Sequence, residues 1–549
     1  MISEKMKPYV KNNSAIRMMF EEGNRLRAKY GADKVFDFSL GNPSVPAPDS
    51  VREAIIELVN TTDPTILHGY MSNAGFEDVR QTIAESLNRR FATKFSAKNL
   101  IMTVGAASGL NVILKTILNP GEEVIVFAPY FLEYGAYVRN YDGVLVEISP
   151  DTTTFQPNLA EFEQKITPKT RAVIVNTPHN PTGVVYSEET IKKLSAILEA
   201  KQKEFGSVIY LISDEPYREL AYDGVEVPYL TKYYNNTVVG YSYSKSLSLP
   251  GERIGYLVIP DEADGSEELI SAATIANRTL GCVNAPSLIQ KVVAKCVDAK
   301  TDLVAYDKNR QALYNGLKEC GFECIKPQGA FYLFVKSPVE DEKAFCEAGK
   351  KYNILMVPGS SFACPGYVRL AYCVSYETIV NSLPEFKKLA VRVWLVLFDR
   401  LYGWLSQRTG YGVREYHCPL YGKNKVDGTP QREAELNGLF LGVYSLIGLL
   451  CIIIGHKCHF QCIGCHLCIL FSCCLQIICQ IKGNLCRKYI ISINIQSHSP
   501  LLRCSISAEA PRCFPHPRKP VDSSLTDQRN LLRVKLSAYL QMSPGTVFH

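Results

Sequence analysis

Short apolar runs punctuate the first 390 residues at intervals of one helix. They read "LIMTV" at 100–104, "EVIVFA" at 123–128, "VLVEI" at 144–148, "AVIVN" at 172–176, "VIYLIS" at 208–213, "TVVGYSYS" at 237–244 and "IGYLVI" at 254–259. Most do not alternate apolar with polar residues and are rich in β-branched side chains, the pattern of strands buried on both faces. Amphipathic stretches lie before and between them. "DSVREAIIELVN" at 49–60 has Asp49 as its expected N-cap, and "ASGLNVILKTIL" at 107–118 is stopped by Pro120-Gly121. Strand–helix alternation over seven strands predicts an α/β fold with a mostly parallel seven-stranded sheet and helices on both faces. Residues 276–390 carry longer helices and fewer strands. The expected domains are a large one over 45–275, a smaller α/β one over 276–390, and an N-terminal segment over 1–44 that joins the smaller.

Composition divides the chain near residue 390. Residues 1–390 carry 46 acidic and 42 basic side chains; residues 391–549 carry 8 and 18. The later 159 residues also hold 12 of the 19 cysteines, 7 of the 9 histidines and both tryptophans. The mildly negative first part gives no reason to expect nucleic acid as a partner. Its seven cysteines have no paired spacing, which suits a reduced, cytoplasmic protein. The opening residues lack the apolar core of a secretory signal.

In a sheet of this kind ligands bind beyond the carboxyl ends of the strands. Just past those ends lie Gly105-Ala106-Ala107, Pro129-Tyr130-Phe131, "TPHNPTG" at 177–183, "DEPY" at 214–217 and Lys245. A lysine amine can form a Schiff base with an aldehyde cofactor. If that aldehyde is pyridoxal 5'-phosphate, the other residues have tasks. Asp214 suits the pyridine nitrogen, which must stay protonated for the ring to accept electrons. Tyr217 and Asn180 suit the ring's 3-oxygen, and Phe131 suits its face. The turn at 105–107, Ser242, Ser244 and Arg253 suit the phosphate.

These segments, taken together, resemble the class I pyridoxal-phosphate aminotransferases of fold type I, the group that includes aspartate aminotransferase. The likeness runs from about residue 12 to about 389. It is carried by "GNPSVPAP" 41–48, "HGYMSNAG" 68–75, "TVGAASGLN" 103–111, "NPGEEVIVFAPYF" 119–131, "NTPHNPTG" 176–183, "SDEPYREL" 213–220, "SYSKSLSLPGERIGY" 242–256 and "YVRLAY" 367–372, in the family's order. The resemblance implies that Lys245, Asp214 and Tyr217 are catalytic. It implies that Gly105, Ala106, Ala107, Phe131, Asn180, Ser242, Ser244, Arg253 and Tyr70 hold the cofactor, Tyr70 reaching the phosphate in a neighbouring subunit of a homodimer. Arg369 becomes the clamp for the substrate α-carboxylate, helped by Asn180 and the backbone of Gly41, and the Asn180–Pro181 bond is expected to be cis. The activity implied is ping-pong transfer of an amino group between an L-amino acid and a 2-oxo acid. Another fold type I reaction, such as β-elimination from cysteine conjugates, needs nearly the same residues and stays open. A cofactor-sensing regulator would need a DNA-binding module ahead of the family segment, for which no room is expected.

Two positions bear on substrate choice. Ala107 stands where some bacterial aspartate enzymes have a lysine for the distal carboxylate. Arg278 lies near the place from which other relatives bring a distal-carboxylate arginine out of the partner subunit. His68 and His179 are expected to be packing or loop residues. No metal is expected in the first part.

Residues 391–549 fit no part of this scheme. "GLFLGVYSLIGLLCIIIG" at 438–455 is uncharged and at the lower limit of a membrane span, and "CILFSCCLQIICQI" at 468–481 is shorter. Cys458, Cys462, Cys465 and Cys468 have a spacing that could hold iron–sulfur or zinc, but Gly464 stands where radical enzymes carry an aromatic. Few acids, many cysteines and an abrupt onset favour a frameshift or read-through over an evolved domain or an anchor.

Overall fold

The computed structural model describes residues 1–11, 15–409, 490–496 and 503–509. Residues Met1–Asp399 form one compact unit. Its strands are β1 (Phe36–Asp37), β2 (Leu100–Thr103), β3 (Glu123–Phe127), β4 (Val144–Ile148), β5 (Thr170–Asn176), β6 (Tyr210–Asp214), β7 (Thr237–Ser242), β8 (Gly255–Val258), β9 (Tyr332–Lys336), β10 (Ile354–Leu355), β11 (Val357–Pro358) and β12 (Tyr367–Ala371). Seven of them form one sheet in the order β2-β8-β7-β6-β5-β3-β4. All seven expected strands are present. Every pairing is parallel except those of β8, which runs antiparallel to both β2 and β7.

Unalternating strand sequences have their reason in the packing. Val124 and Val126 of β3, with Ala172 and Ile174 of β5, point to one face, against Val112, Ile113 and Ala273 of the helices Gly105–Ile117 and Ser266–Thr279. Ile125, Val173 and Val175 point to the other, against Ile191, Leu194 and Leu198 of the helix Glu188–Phe205. Each valine, leucine or isoleucine so buried contributes roughly 1.5–3 kcal/mol, so an unpartnered polar replacement at one of these positions is costly.

The second core gathers Phe36 and Phe38 with side chains from 306–393. Here β9, β12 and β11 form an antiparallel sheet in the order β11-β12-β9, and β1 pairs in parallel with β10. The chain just before Gly41 is therefore stitched to the segment that carries Arg369.

Three local expectations are corrected. The helix Asp49–Thr61 is preceded by Pro48 as N-cap, so Asp49 is the first helical residue rather than the cap; proline's fixed φ sets the entry. The helix expected to open at 107 begins at Gly105. Gly105, Ala106 and Ala107 are thus its first turn, not a turn ahead of it. Strand β7 ends at Ser242, and Lys245 stands on a short helical turn, Tyr243–Ser246, capped by the Ser242 hydroxyl through the Ser244 amide. Serine's hydroxyl competes with the strand ladder for exactly such amides, and that ends the strand early.

A helix Tyr376–Thr409 runs through the compositional break at 390. Of residues Arg400–His549, taken by themselves, β13 (Ile490–Gln496) and β14 (Arg503–Glu509) pair antiparallel. The apolar runs at 438–455 and 468–481 and the cysteines at 458, 462, 465 and 468 lie outside the described residues. Among the described residues no helix is long and apolar enough to cross a membrane.

Candidate active site

Register places the chemistry. Asn176 of β5 pairs with Asp214 of β6, and Asp214 pairs with Gly240 of β7, so the strand ends open on one edge. A cavity of about 280 Å³ lies there. Of the expected residues, Gly41, Ala106, Ala107, Phe131, Asn180, Asp214, Tyr217, Lys245 and Arg369 line it. Gly105, Ser242, Ser244 and Arg253 do not line it but sit beside it. Tyr70 is 94% exposed, and the exposed Arg278 lies in the last turn of the helix Ser266–Thr279; neither borders this cavity.

Lys245 reaches across the cavity, its Nζ donating to the Gly41 carbonyl at 2.6 Å. Burial lowers its pKa to about 8, with Arg253 and Arg369 pushing the same way and only Cys373 opposing. A good fraction of the amine is therefore neutral, and nucleophilic, at mildly alkaline pH.

Asp214 is buried, with one oxygen occupied and one free. Its Oδ2 accepts from the Tyr134 hydroxyl at 2.5 Å, whereas Oδ1 has no hydrogen-bond partner. Burial raises its pKa to about 7; the Tyr134 bond lowers it and Glu215 raises it further. An unpartnered buried carboxylate oxygen is costly unless a donor arrives. The free Oδ1 is where a protonated ring nitrogen fits.

Arg369 is buried without any carboxylate partner among the described residues. It donates through Nη1 to Asn180 Oδ1 at 3.1 Å and through Nη2 to the Ser39 carbonyl at 2.6 Å. Its guanidinium stacks between Tyr332 and Phe362, 4.5 and 4.7 Å from their ring centroids, and Nε is unbonded. Burial lowers its pKa, yet a guanidinium stays charged. Such a site is completed by an anion with two acceptor oxygens.

An anion cradle stands on the far side of Lys245. Gly105, at φ +76°, opens the helix Gly105–Ile117, and a Cβ there would come within 2.9 Å of Arg253 Nη2. The Ser242 and Ser244 hydroxyls, 2.6 Å apart, are buried next to it. A helix N-terminus, a guanidinium and two hydroxyls suit a phosphate. The residues present thus fit pyridoxal phosphate at its aldehyde, ring nitrogen and phosphate ends. The Asn180–Pro181 bond is cis, as expected, and so are Ala128–Pro129 and Thr177–Pro178. His68 is exposed; His179 is buried against Thr182, its pKa lowered to about 3 by burial, so it is neutral filler.

Sequence reasoning passed over Tyr134 and Tyr332. Tyr134 lies in the first turn of the helix Glu133–Asn140, three residues after Phe131, whose ring it meets edge to face at 5.7 Å, and its closeness in sequence to Phe131 was the available signal. Tyr332 had none: it sits in an apolar strand and reads as core.

A transaminase is what this arrangement defines once it is compared with known proteins. Residues 33–383 match the family described as aminotransferase class I and II, and the chain belongs to that family. It is 34% identical over 375 residues to a probable aspartate/prephenate aminotransferase of Thermus aquaticus, covering 66% of this chain and 92% of that one. It is 31% identical over 364 residues to the aspartate aminotransferase of Thermotoga maritima, covering 65% and 92%. A crystal structure of an aminotransferase from Eubacterium rectale superposes with a TM-score of 0.70 at 49% identity, covering 72% of this chain and 99% of that one. The fold is that of the fold type I aminotransferases.

Asp214 and His179, the two of these buried groups whose shifts fall below pH 7, give a first prediction. Between about pH 4 and 7 the folded cofactor-free chain holds a proton on Asp214 that the unfolded chain has lost, so Asp214's contribution to stability falls as pH rises through that window. His179 acts oppositely, since its stability is lost as pH falls below about 6.5. Comparing wild type with Asp214→Asn cancels His179. The variant apoprotein is expected to melt about a few degrees above wild type at pH 8, with the gap closing toward pH 5. A gap that ignores pH removes Asp214 as the titrating group.

Proposed function

We propose that the protein is a cytoplasmic homodimer that binds pyridoxal 5'-phosphate and moves an amino group between an L-amino acid and a 2-oxo acid by a ping-pong mechanism, in the manner of aspartate aminotransferase. What carries the proposal is the convergence on one cavity of an amine with a lowered pKa, a buried carboxylate with a free oxygen, and a guanidinium with no carboxylate partner among the described residues.

Lys245 would hold the cofactor's aldehyde carbon, Asp214 Oδ1 its ring nitrogen, Tyr217 and Asn180 its 3-oxygen, and Phe131 its face. The amides of Gly105, Ala106 and Ala107, with Ser242, Ser244 and Arg253, would hold its phosphate, and Tyr70 would reach the phosphate in the other subunit. The bound cofactor supplies an electron sink for the pair left on the substrate carbon. Arg369 fixes the α-carboxylate with two parallel donors, so the Cα–H bond stands at a set angle. The freed Lys245 Nζ then takes the proton from Cα. The small sheet that carries Arg369, together with residues 1–44 and 276–390, acts as the domain that orients substrate on the large one, 45–275. Function resides in residues 1–390.

The test is a donor–acceptor panel on the purified full-length enzyme, led by aspartate and the aromatic amino acids. A productive donor is expected to convert the bound cofactor to pyridoxamine phosphate in a single turnover with release of its 2-oxo acid. Release of pyruvate and ammonia from a cysteine conjugate, with no pyridoxamine phosphate formed, would replace this proposal with β-elimination.

A further inference from the structure

Two buried phenols face each other in the cavity wall. The Tyr217 and Tyr332 hydroxyls lie 2.9 Å apart, and among the described residues neither has another hydrogen-bond partner. Their rings meet edge to face, with centroids 5.6 Å apart. Tyr332 is fixed from three sides. Its neighbour Phe331 packs edge-on at 5.0 Å, the Arg369 guanidinium lies over its ring, and any Cβ at Gly41 would collide with its hydroxyl. The absence of a side chain at position 41 therefore makes room for an oxygen atom that lies against Tyr217.

One proton stands between two phenol oxygens, so one of them is donor and the other acceptor. Tyr217 has a single proton to give. If it gives that proton to a ligand in the cavity, its oxygen is free to accept from Tyr332, whose hydroxyl has no other acceptor among the described residues. A phenol that accepts a hydrogen bond becomes a stronger donor, because successive bonds polarise one another. We propose that Tyr332 is a positioning residue: by donating to the Tyr217 oxygen it orients and strengthens the hydrogen bond that Tyr217 makes to the cofactor's 3-oxygen, which rests on the functional proposal above. Tyr332 touches Arg369 as well, so the cofactor's phenol and the carboxylate clamp share one support.

Strengthening that bond would favour the negatively charged 3-oxygen, and so would lower the pH at which the proton it shares with the Lys245 nitrogen is lost. The charged and titratable groups facing the pair are Asp214, Lys245, Arg369 and Cys373, all untouched by the changes below. The experiment is a pH titration of the visible absorbance of the full-length holoenzyme and three variants. Tyr332→Phe removes one oxygen and keeps the ring against Arg369. Its midpoint is expected to rise by about half a unit, a fraction of the effect of losing the bond itself. Tyr217→Phe is expected to rise further, by about one unit or more. The double variant is expected to match Tyr217→Phe alone, because Tyr332 has no oxygen left to act through. A purely structural role would give no such dependence. An unchanged midpoint in Tyr332→Phe, or the same increment in the Tyr217→Phe background, overturns the proposal. A wild-type chain that takes up no pyridoxal phosphate and shows no visible band overturns the functional proposal, and this pairing with it.

Discussion

Replacing Lys245 with alanine is expected to lower turnover by roughly 10⁴-fold or more, since on the proposed function it removes both the covalent anchor and the proton carrier. The expectation comes from where the amine sits. Its Nζ crosses the cavity to Gly41, and 5.3 Å away is the face of the Phe331 ring, not a carboxylate. Desolvation without a counter-ion is what holds its pKa near 8. Lys245→Arg separates chemistry from packing. It keeps a charge and most of the volume, but a guanidinium is not a nucleophile, so it should be as inactive as the alanine variant. Borohydride treatment of the wild-type holoenzyme should place the B6 label on the peptide that contains residue 245. An alanine variant within tenfold of wild type would remove Lys245 from the chemistry.

Arg369→Lys is expected to lower kcat/KM for amino-acid donors by about 10²-fold, and Arg369→Ala by about 10³-fold. A lysine keeps the charge but presents no planar fork, and it cannot hold Asn180, the Ser39 carbonyl and a substrate carboxylate together. At about 1.36 kcal/mol per decade, the alanine figure corresponds to roughly 4 kcal/mol, the scale of two charge-assisted hydrogen bonds. The loss should fall mainly on KM if the clamp binds ground and transition states alike. Thermal stability should not fall with activity. A buried guanidinium without a counter-ion is a cost to the fold, so Arg369→Ala is expected to melt at or above wild type. A variant that loses both together would show that Arg369 is structural.

Much of this site was open to inspection in the chain itself. Five strand ends carry Gly105, Phe131, Asn180, Asp214 and Lys245 at or just beyond them, and a parallel sheet buried on both faces must bring such ends to one edge. The details that failed were local. The entry to the helix at 105 and the end of β7 at 242 depend on which amide a glycine or a serine hydroxyl claims, and periodicity does not carry that information.

Residue types and their order along the strands determined the α/β fold, the edge on which the strand ends open, and the candidate amine and acid; the candidate guanidinium, Arg369, came only from the resemblance to a family. Tertiary structure alone decided what surrounds them. Tyr134 meets Asp214 from 80 residues away, Tyr332 meets Tyr217 from 115 and Arg369 meets Asn180 from 189. A pattern with a period of two or 3.6 residues reports which face a side chain takes, not what the opposite face brings to it. The free oxygen of Asp214 and the lack, among the described residues, of a counter-ion for Arg369 follow from those long-range meetings, and on the proposed function they are where a cationic ring nitrogen and an anionic substrate would be held.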